Sequence, residues 1–392
     1  MAVTLNSADN ALKTVYLDAV SEQLNDYVNP FFSAIEKNSN DVWGKEIKKL
    51  VTFGVNGGIG AGDEDGALPK IAGNTYTQFT STLKNLYGVI EISDKALRAS
   101  QTNAGAFVNL LNAEMDGLVK ASKLNFSRML FGTGIGALAE VLDVYDNEIQ
   151  LDNFANVFVG MVVDFRDRTG EIIEGFEGRK ITYVDPVNFT CIRVDGDPIE
   201  NSSLEPGTII TLQNSINKEL TGLGAIFATE MPLYGNDRRT NGVVMPAVVN
   251  SVGEITEDKI QLMIDDIELK SGTKPNMIIC SYGVRRVLQK IFSENKTLVG
   301  TMELAGGFTA MSYNGIPIVA DRFCPKGNMY FLNTDDFTLC QLCDWQWLTD
   351  DDGKVLKQVP GKPVYTATLV KYADLLCSRP YAQGLMTDIT EN

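Results

Sequence analysis

AGAFVNLLNAEMDGLVKASKLNFSRMLFGTGIG, Ala104 to Gly136, decides how the chain is organised. Phe107, Leu111, Met115, Leu118, Ser122, Phe126 and Met129 recur every three or four residues, which is the spacing of one helix face. At about 1.5 Å per residue, a helix from Ala104 to Leu130 spans roughly 40 Å, the width of a domain. Gly132, Gly134 and Gly136 resemble a phosphate-cradling loop at first sight, but such a loop places glycines before a helix, so that amides at the helix N-terminus meet the anion. Here they follow the helix, and no G-x-x-x-x-G-K-[ST] accompanies them. With Lys123 and Arg128 near that end complementing the helix dipole, the glycines read as a helix stop that binds no nucleotide.

Working towards the N-terminus, YGVIEISDKALRAS leads into the helix, and before it runs VTFGVNGGIGAGDEDGALPKIAGNTYTQFTST, Val51 to Thr82. Its two β-prone ends flank a glycine-rich, acidic centre, the pattern of a long hairpin with a mobile, hydrated tip. The acids DEDG are not in calcium-loop register. The flanks Phe53 and Val55 on one side and Tyr76 and Phe79 on the other are too apolar for a solvated loop and predict contacts with another subunit. Further upstream, Leu12, Val15, Ala19 and Leu24 lie on one stripe of a helical arm that Asn29-Pro30 interrupts before FFSAIEKN. That stripe precedes any compact core, so its predicted partner is another chain.

Beyond the glycines, residues 139–230 read as almost pure β. EVLDVY, NVFVGMVVDFRD, RKITYVD, NFTCIRV and GTIITL alternate between turn signals at the intervals of a barrel or sandwich. KELTGLGAIF then returns the chain to its parent body, so the module is expected to be separable. ITEDKIQLMIDDIELKSG predicts a helix with Thr256 as N-cap and Ile260, Met263, Ile264 and Ile267 inward. The strand NMIIC, the helix YGVRRVLQKIF and the strands NGIPIVA and NMYFLN make an α/β unit, and PVYTATLVKYADLLCSRPYAQGLMTDI closes the chain as β structure.

Composition narrows the chemistry. The 392 residues are 44% apolar and 21% charged, as in ordinary globular proteins, with no apolar run long enough to span a membrane and no secretory signal. The formal charge of -16 disfavours sequence-specific nucleic-acid binding. There is no histidine, which removes Ser-His-Asp and Cys-His nucleophiles and histidine-containing zinc sites. Of the six cysteines only Cys340 and Cys343 are close in sequence; on a strand they point to opposite sides, so buried, reduced thiols are expected and no metal site. Asp164 and Asp167 are the carboxylates that a carbohydrate-active enzyme would need, yet on a strand they too face apart. No catalytic residue and no cofactor is expected.

The order of parts resembles the HK97-type major capsid proteins of tailed bacteriophages: arm, extended hairpin loop, spine helix and mixed α/β body. YGVIEISDKAL, PNMIICSYGVRRVLQKI and NGIPIVADRFCPKGNMYFLN are similar to family phrases. The resemblance implies an α+β fold with an N-terminal arm (1–50), a hairpin loop (51–82), a peripheral region with the spine helix (83–138), an axial-type α/β domain (231–345) and C-terminal peripheral strands (346–392). The β domain at 139–230 is an insertion that the minimal fold lacks. It further implies self-assembly into pentamers and hexamers of an icosahedral shell, made in the bacterial host cytoplasm and enclosing double-stranded DNA held without sequence preference. The other expected partners are a separate scaffolding protein, a portal and decoration proteins, and no membrane. An encapsulin-type compartment shares the fold and is the alternative.

Overall fold

The spine helix runs from Ala104 to Phe131 and ends at the glycines. Met115, Val119, Phe126, Met129 and Leu130 are its buried face, and Leu118 packs so closely over Gly88 that a Cβ there would lie 2.9 Å from a leucine methyl. The computed structural model describes residues 29–39, 42, 46–94, 104–145, 147–185, 190–199, 203–294, 301–304, 308–349 and 353–391, without the side chains of 104–113, 294, 301–304 and 308–309. Leu12, Val15, Ala19 and Leu24 lie outside the described residues.

Beneath the spine lies a long antiparallel sheet. Val364–Cys377 pairs on one side with Phe337–Trp347 and, nearer its start, with Lys357–Gln358, and on its other side with Lys84–Ser93. The end of the expected arm belongs to this body. Pro30–Ala34 is a short helix capped by Asn29, and Glu36–Asn38 adds a parallel strand to Phe337–Trp347. Phe31 meets Phe337 and Phe32 meets Phe126 edge to face, at centroid distances of 5.2 and 5.3 Å. FFSAIEKN therefore packs inside its own chain, because two adjacent phenylalanines find one core between helix and sheet. Under the spine, the fully buried Lys371 donates to Gln341 Oε1 (2.8 Å) and Asp344 Oδ1 (2.6 Å), with the Phe126 ring 5.2 Å from its Nζ.

The α/β unit is a seven-stranded sheet in the order Ala247–Val249, Gly384–Met386, Met329–Leu332, Met277–Cys280, Ile316–Ala320, Phe308–Tyr313, Thr301–Leu304. Two helices, Glu257–Ser271 and Tyr282–Glu294, cover one face through Ile260, Met263, Ile264, Ile267, Val284 and Leu288. The opposite face, through Ile279, Tyr330 and Leu332, joins the main core. Thr256 caps its helix as expected, with Lys259 N donating to Oγ1 at 3.3 Å. The boundary expected at 345/346 is corrected: Phe337–Trp347 belongs to the long sheet, and Gly384–Met386 returns to the seven-stranded one. GLM is buried on both faces and too short to show alternation, so its partner sheet is invisible in sequence.

The insertion is a closed six-stranded antiparallel barrel. Its strands are Ala137–Tyr145, Glu148–Leu151, Val162–Arg166, Arg179–Val184, Cys191–Val194 and Ile209–Leu212. Val141, Ile149, Val163, Phe165, Ile181 and Ile210 fill it, a core separate from that of the body. The barrel ends at Leu212, earlier than the expected 230. Leu223–Phe227 is a helix whose Leu223, Ile226 and Phe227 lie in the main core, against the end of the spine. Entry and exit meet at the glycine stretch. Asn217 N donates to Ile135 O (2.8 Å), and Gly136, at φ +91°, comes so close that a Cβ would lie 2.8 Å from Ser215 O. A buried Arg128–Glu219 ion pair ties the exit segment to the last turn of the spine.

Candidate assembly surfaces

The hairpin is where the sequence placed contacts between subunits. Glu46–Phe53 pairs with Thr75–Thr82 in register from Glu46 opposite Thr82 to Phe53 opposite Thr75. Alternation buries Ile47, Val51, Phe79 and Ser81 against the body and turns Leu50 and Tyr76 outward.

The root of the hairpin is fixed by hydrogen bonds. Thr80 N donates to Tyr234 O (3.0 Å), and Asn236 Nδ2 donates to Gln78 O (3.0 Å). The Tyr234 hydroxyl donates to Leu375 O and accepts from Cys377 N, both at 3.0 Å, and burial pushes its pKa well up. Asp374, also fully enclosed, accepts from Ser81 Oγ, from Thr221 N (2.8 Å) and from Thr221 Oγ1 (3.0 Å). Burial raises its pKa against the pull of these donors. One carboxyl thus joins the hairpin, the long sheet and the segment returning from the barrel.

Of the four hairpin residues singled out from sequence, two stand in solvent: Val55 is 82% and Tyr76 is 55% exposed. Phe53, at the last rung, is 39% exposed and meets the Tyr381 ring of its own chain at 5.9 Å. Phe79 is corrected: it has no exposed surface and packs on Tyr234 at 5.5 Å. An apolar residue at the root of a hairpin and one near its tip look the same in sequence; only the body beneath separates them. Sequence reasoning missed Ile59, Leu68 and Ile71, which with Val55 are all at least 80% exposed on the projecting segment 54–74. The available signal was aliphatic residues dispersed among glycines and acids, where no local core can form.

The remaining candidates are structural. Asp164 is buried and accepts from Gly178 N, Asn214 N and Arg166 Nη2. Asp167 is at the surface, its Oδ1 accepting from Thr169 Oγ1, Thr169 N and Glu171 N; the Thr169 hydroxyl leads in holding its pKa down. Each carboxyl is spent on its own turn or strand, and the two form no shared cleft. Cys340 is buried and Cys343 half-buried, and no disulfide joins any of the six thiols, all of which are described. Among the described residues no cluster of three or more Cys, Asp or Glu is placed to hold a metal, and no helix is long and apolar enough to cross a membrane.

The element order, with a hairpin and spine on an α/β body, has solved counterparts. The chain is similar to a chain of the cyanophage A-1(L) capsid asymmetric unit, with 12% identity, a TM-score of 0.55, and 94% of this chain and 92% of that one covered. Residues 207–354 match the model of the SU10 major capsid protein family. The chain has the HK97-type fold of phage capsid proteins. The chain is also similar to chains of Mycobacterium phage Bobi (9% identity, TM-score 0.47, 94% and 92% covered) and of the Myoviridae phage XM1 capsid (9%, 0.47, 92% and 92%). No curated protein sequence matches it. The family match begins at the last barrel strand and ends just after the long strand Phe337–Trp347, so it takes in most of the α/β unit.

Proposed function

We propose that this chain is a major capsid protein that closes with copies of itself into an icosahedral shell of pentamers and hexamers enclosing the double-stranded DNA of a tailed phage. The hairpin carries the reading. Its root is locked to its own body, while Val55, Ile59, Leu68 and Ile71 project into solvent on segment 54–74. Burying an aliphatic side chain contributes about 1.5–3 kcal/mol, so the four together offer on the order of 6 kcal/mol or more to a neighbour, before ordering costs. Repeated on every subunit, that term biases association. In this reading a separate scaffolding protein sets the size of the shell, a portal occupies one vertex, decoration proteins bind outside, and assembly takes place in the host cytoplasm.

The test is a chain in which residues 55–73 are replaced by a tight turn. It is expected to fold, with an unchanged circular-dichroism spectrum, and to stay unassembled in sedimentation velocity where the parent forms shells. Normal closed shells from the shortened chain would overturn the role of the hairpin. Particles of the parent, purified from infected cells, are expected to hold nuclease-protected DNA; a compartment free of DNA and loaded with a protein cargo would favour the encapsulin alternative.

A further inference from the structure

The two helices on the outer face of the seven-stranded sheet carry opposite charge. Glu257–Ser271 has five carboxylates against two lysines, and both lysines are spent within the chain: Lys259 Nζ donates to the carbonyls of Val252 and Glu254, and Lys270 pairs with Asp266 at 2.6 Å. Tyr282–Glu294 carries Arg285, Arg286 and Lys290 against one glutamate at its last position. The acidic helix packs over Ala247–Val249 and Gly384–Met386, at one edge of the sheet, and the basic helix packs over Ile316–Ala320, beyond its middle.

Both surfaces have features that a partner would complete. Leu262 and Leu269, seven residues apart and so on one face of the acidic helix, are 66% and 86% exposed. On the basic helix, the Arg285 guanidinium lies 5.2 Å over the half-exposed Tyr282 ring, and its buried Nε has no hydrogen-bond partner among the described residues.

Copies related by a two-fold axis through either helix would set acid against acid or base against base. Copies arranged head to tail around a ring meet instead through two different surfaces of the same chain, and such a contact needs those surfaces to be complementary. We propose that the acidic helix Glu257–Ser271 of one copy docks on the basic helix Tyr282–Glu294 of the next copy around each ring of the shell, burying Leu262 and Leu269. The proposal rests on the shell-forming reading above and names the surfaces through which ring neighbours recognise each other. Like charges brought together across an interface cost several kcal/mol, and 1.4 kcal/mol is a factor of ten in association, so reversing one surface should be decisive.

Three full-length variants test it: Asp265→Lys with Glu268→Lys, Arg286→Glu with Lys290→Glu, and all four substitutions in one chain. The fraction of protein in shells is read by sedimentation velocity, and thermal unfolding of the unassembled fraction reads folding separately. Each pair is expected to lower the shell fraction by more than about tenfold, and the fourfold variant to recover it to within about twofold of the parent. Shells indifferent to either pair, or a fourfold variant no better than the pairs, would overturn the contact and leave the shell reading standing. A parent chain that forms no assemblies in any condition would overturn both.

Discussion

Asp321 follows the strand Ile316–Ala320 with 6% of its surface exposed, and its Oδ1 accepts from Phe323 N at 2.8 Å. Burial pushes its carboxyl up to about 6, with that one amide pulling the other way. Since the folded chain holds the proton to higher pH than the unfolded chain, the stability contributed by Asp321 is full below about pH 4 and is lost as pH rises through about 6. Asn keeps the acceptor and removes the ionisation. Asp321→Asn is therefore expected to match the parent in urea unfolding of the unassembled chain at pH 4, and to exceed it by up to about 3 kcal/mol at pH 7.5, a shift of about two units at 1.36 kcal/mol each. A stability difference independent of pH would show that the carboxyl is not titrating in this range. Asp374 is the contrasting case: equally enclosed, it has three donors around it, and it holds segments together where Asp321 only shapes a turn.

Among the elements, those whose periodicity is sustained were legible. The spine, the helix behind Thr256 and the barrel strands follow from spacing alone, and the hairpin from β-prone ends around a glycine-rich centre. What was not legible depends on contacts distant in sequence. Phe79 is set apart from Val55 by Tyr234, and Gly384–Met386 is assigned to a sheet by strands more than fifty residues away. The far edge of the barrel is placed too late for the same reason: KELTGLGAIF reads as the return to the parent body, but only contacts distant in sequence put Leu223, Ile226 and Phe227 already inside the main core. This sets where the module can be cut. Replacing residues 138–215 by a short Gly/Ser bridge joins ends that already touch through Asn217 N and Ile135 O, and is expected to leave a soluble, cooperatively folding body. Extending the same deletion to Phe227 removes three large core side chains and the Thr221 donors to Asp374, and is expected to abolish cooperative thermal unfolding. If both deletions unfold alike, the barrel supports the body in a way the separate cores do not suggest.

For the whole molecule, two electrostatic effects oppose each other during assembly. Every copy brings a formal charge of -16, and crowding copies into a shell sets these charges against one another over distances of tens of ångströms. The proposed contact between acidic and basic helices acts over a few ångströms. Salt separates the two, because the screening length is about 30 Å at 0.01 M, about 10 Å at 0.1 M and about 3 Å at 1 M. Moderate salt removes the long-range repulsion while leaving close ion pairs largely intact; molar salt weakens those pairs as well. The shell fraction is therefore expected to rise from 10 mM towards roughly 150 mM sodium chloride and to fall again towards 1 M. The exposed aliphatics of segment 54–74 strengthen association at every salt concentration and cannot by themselves produce a maximum. Light scattering and pelleting of the parent across a salt series decide it. A shell fraction that climbs without a maximum to 1 M would mean that copies adhere through apolar surface alone, with the charged helices as bystanders.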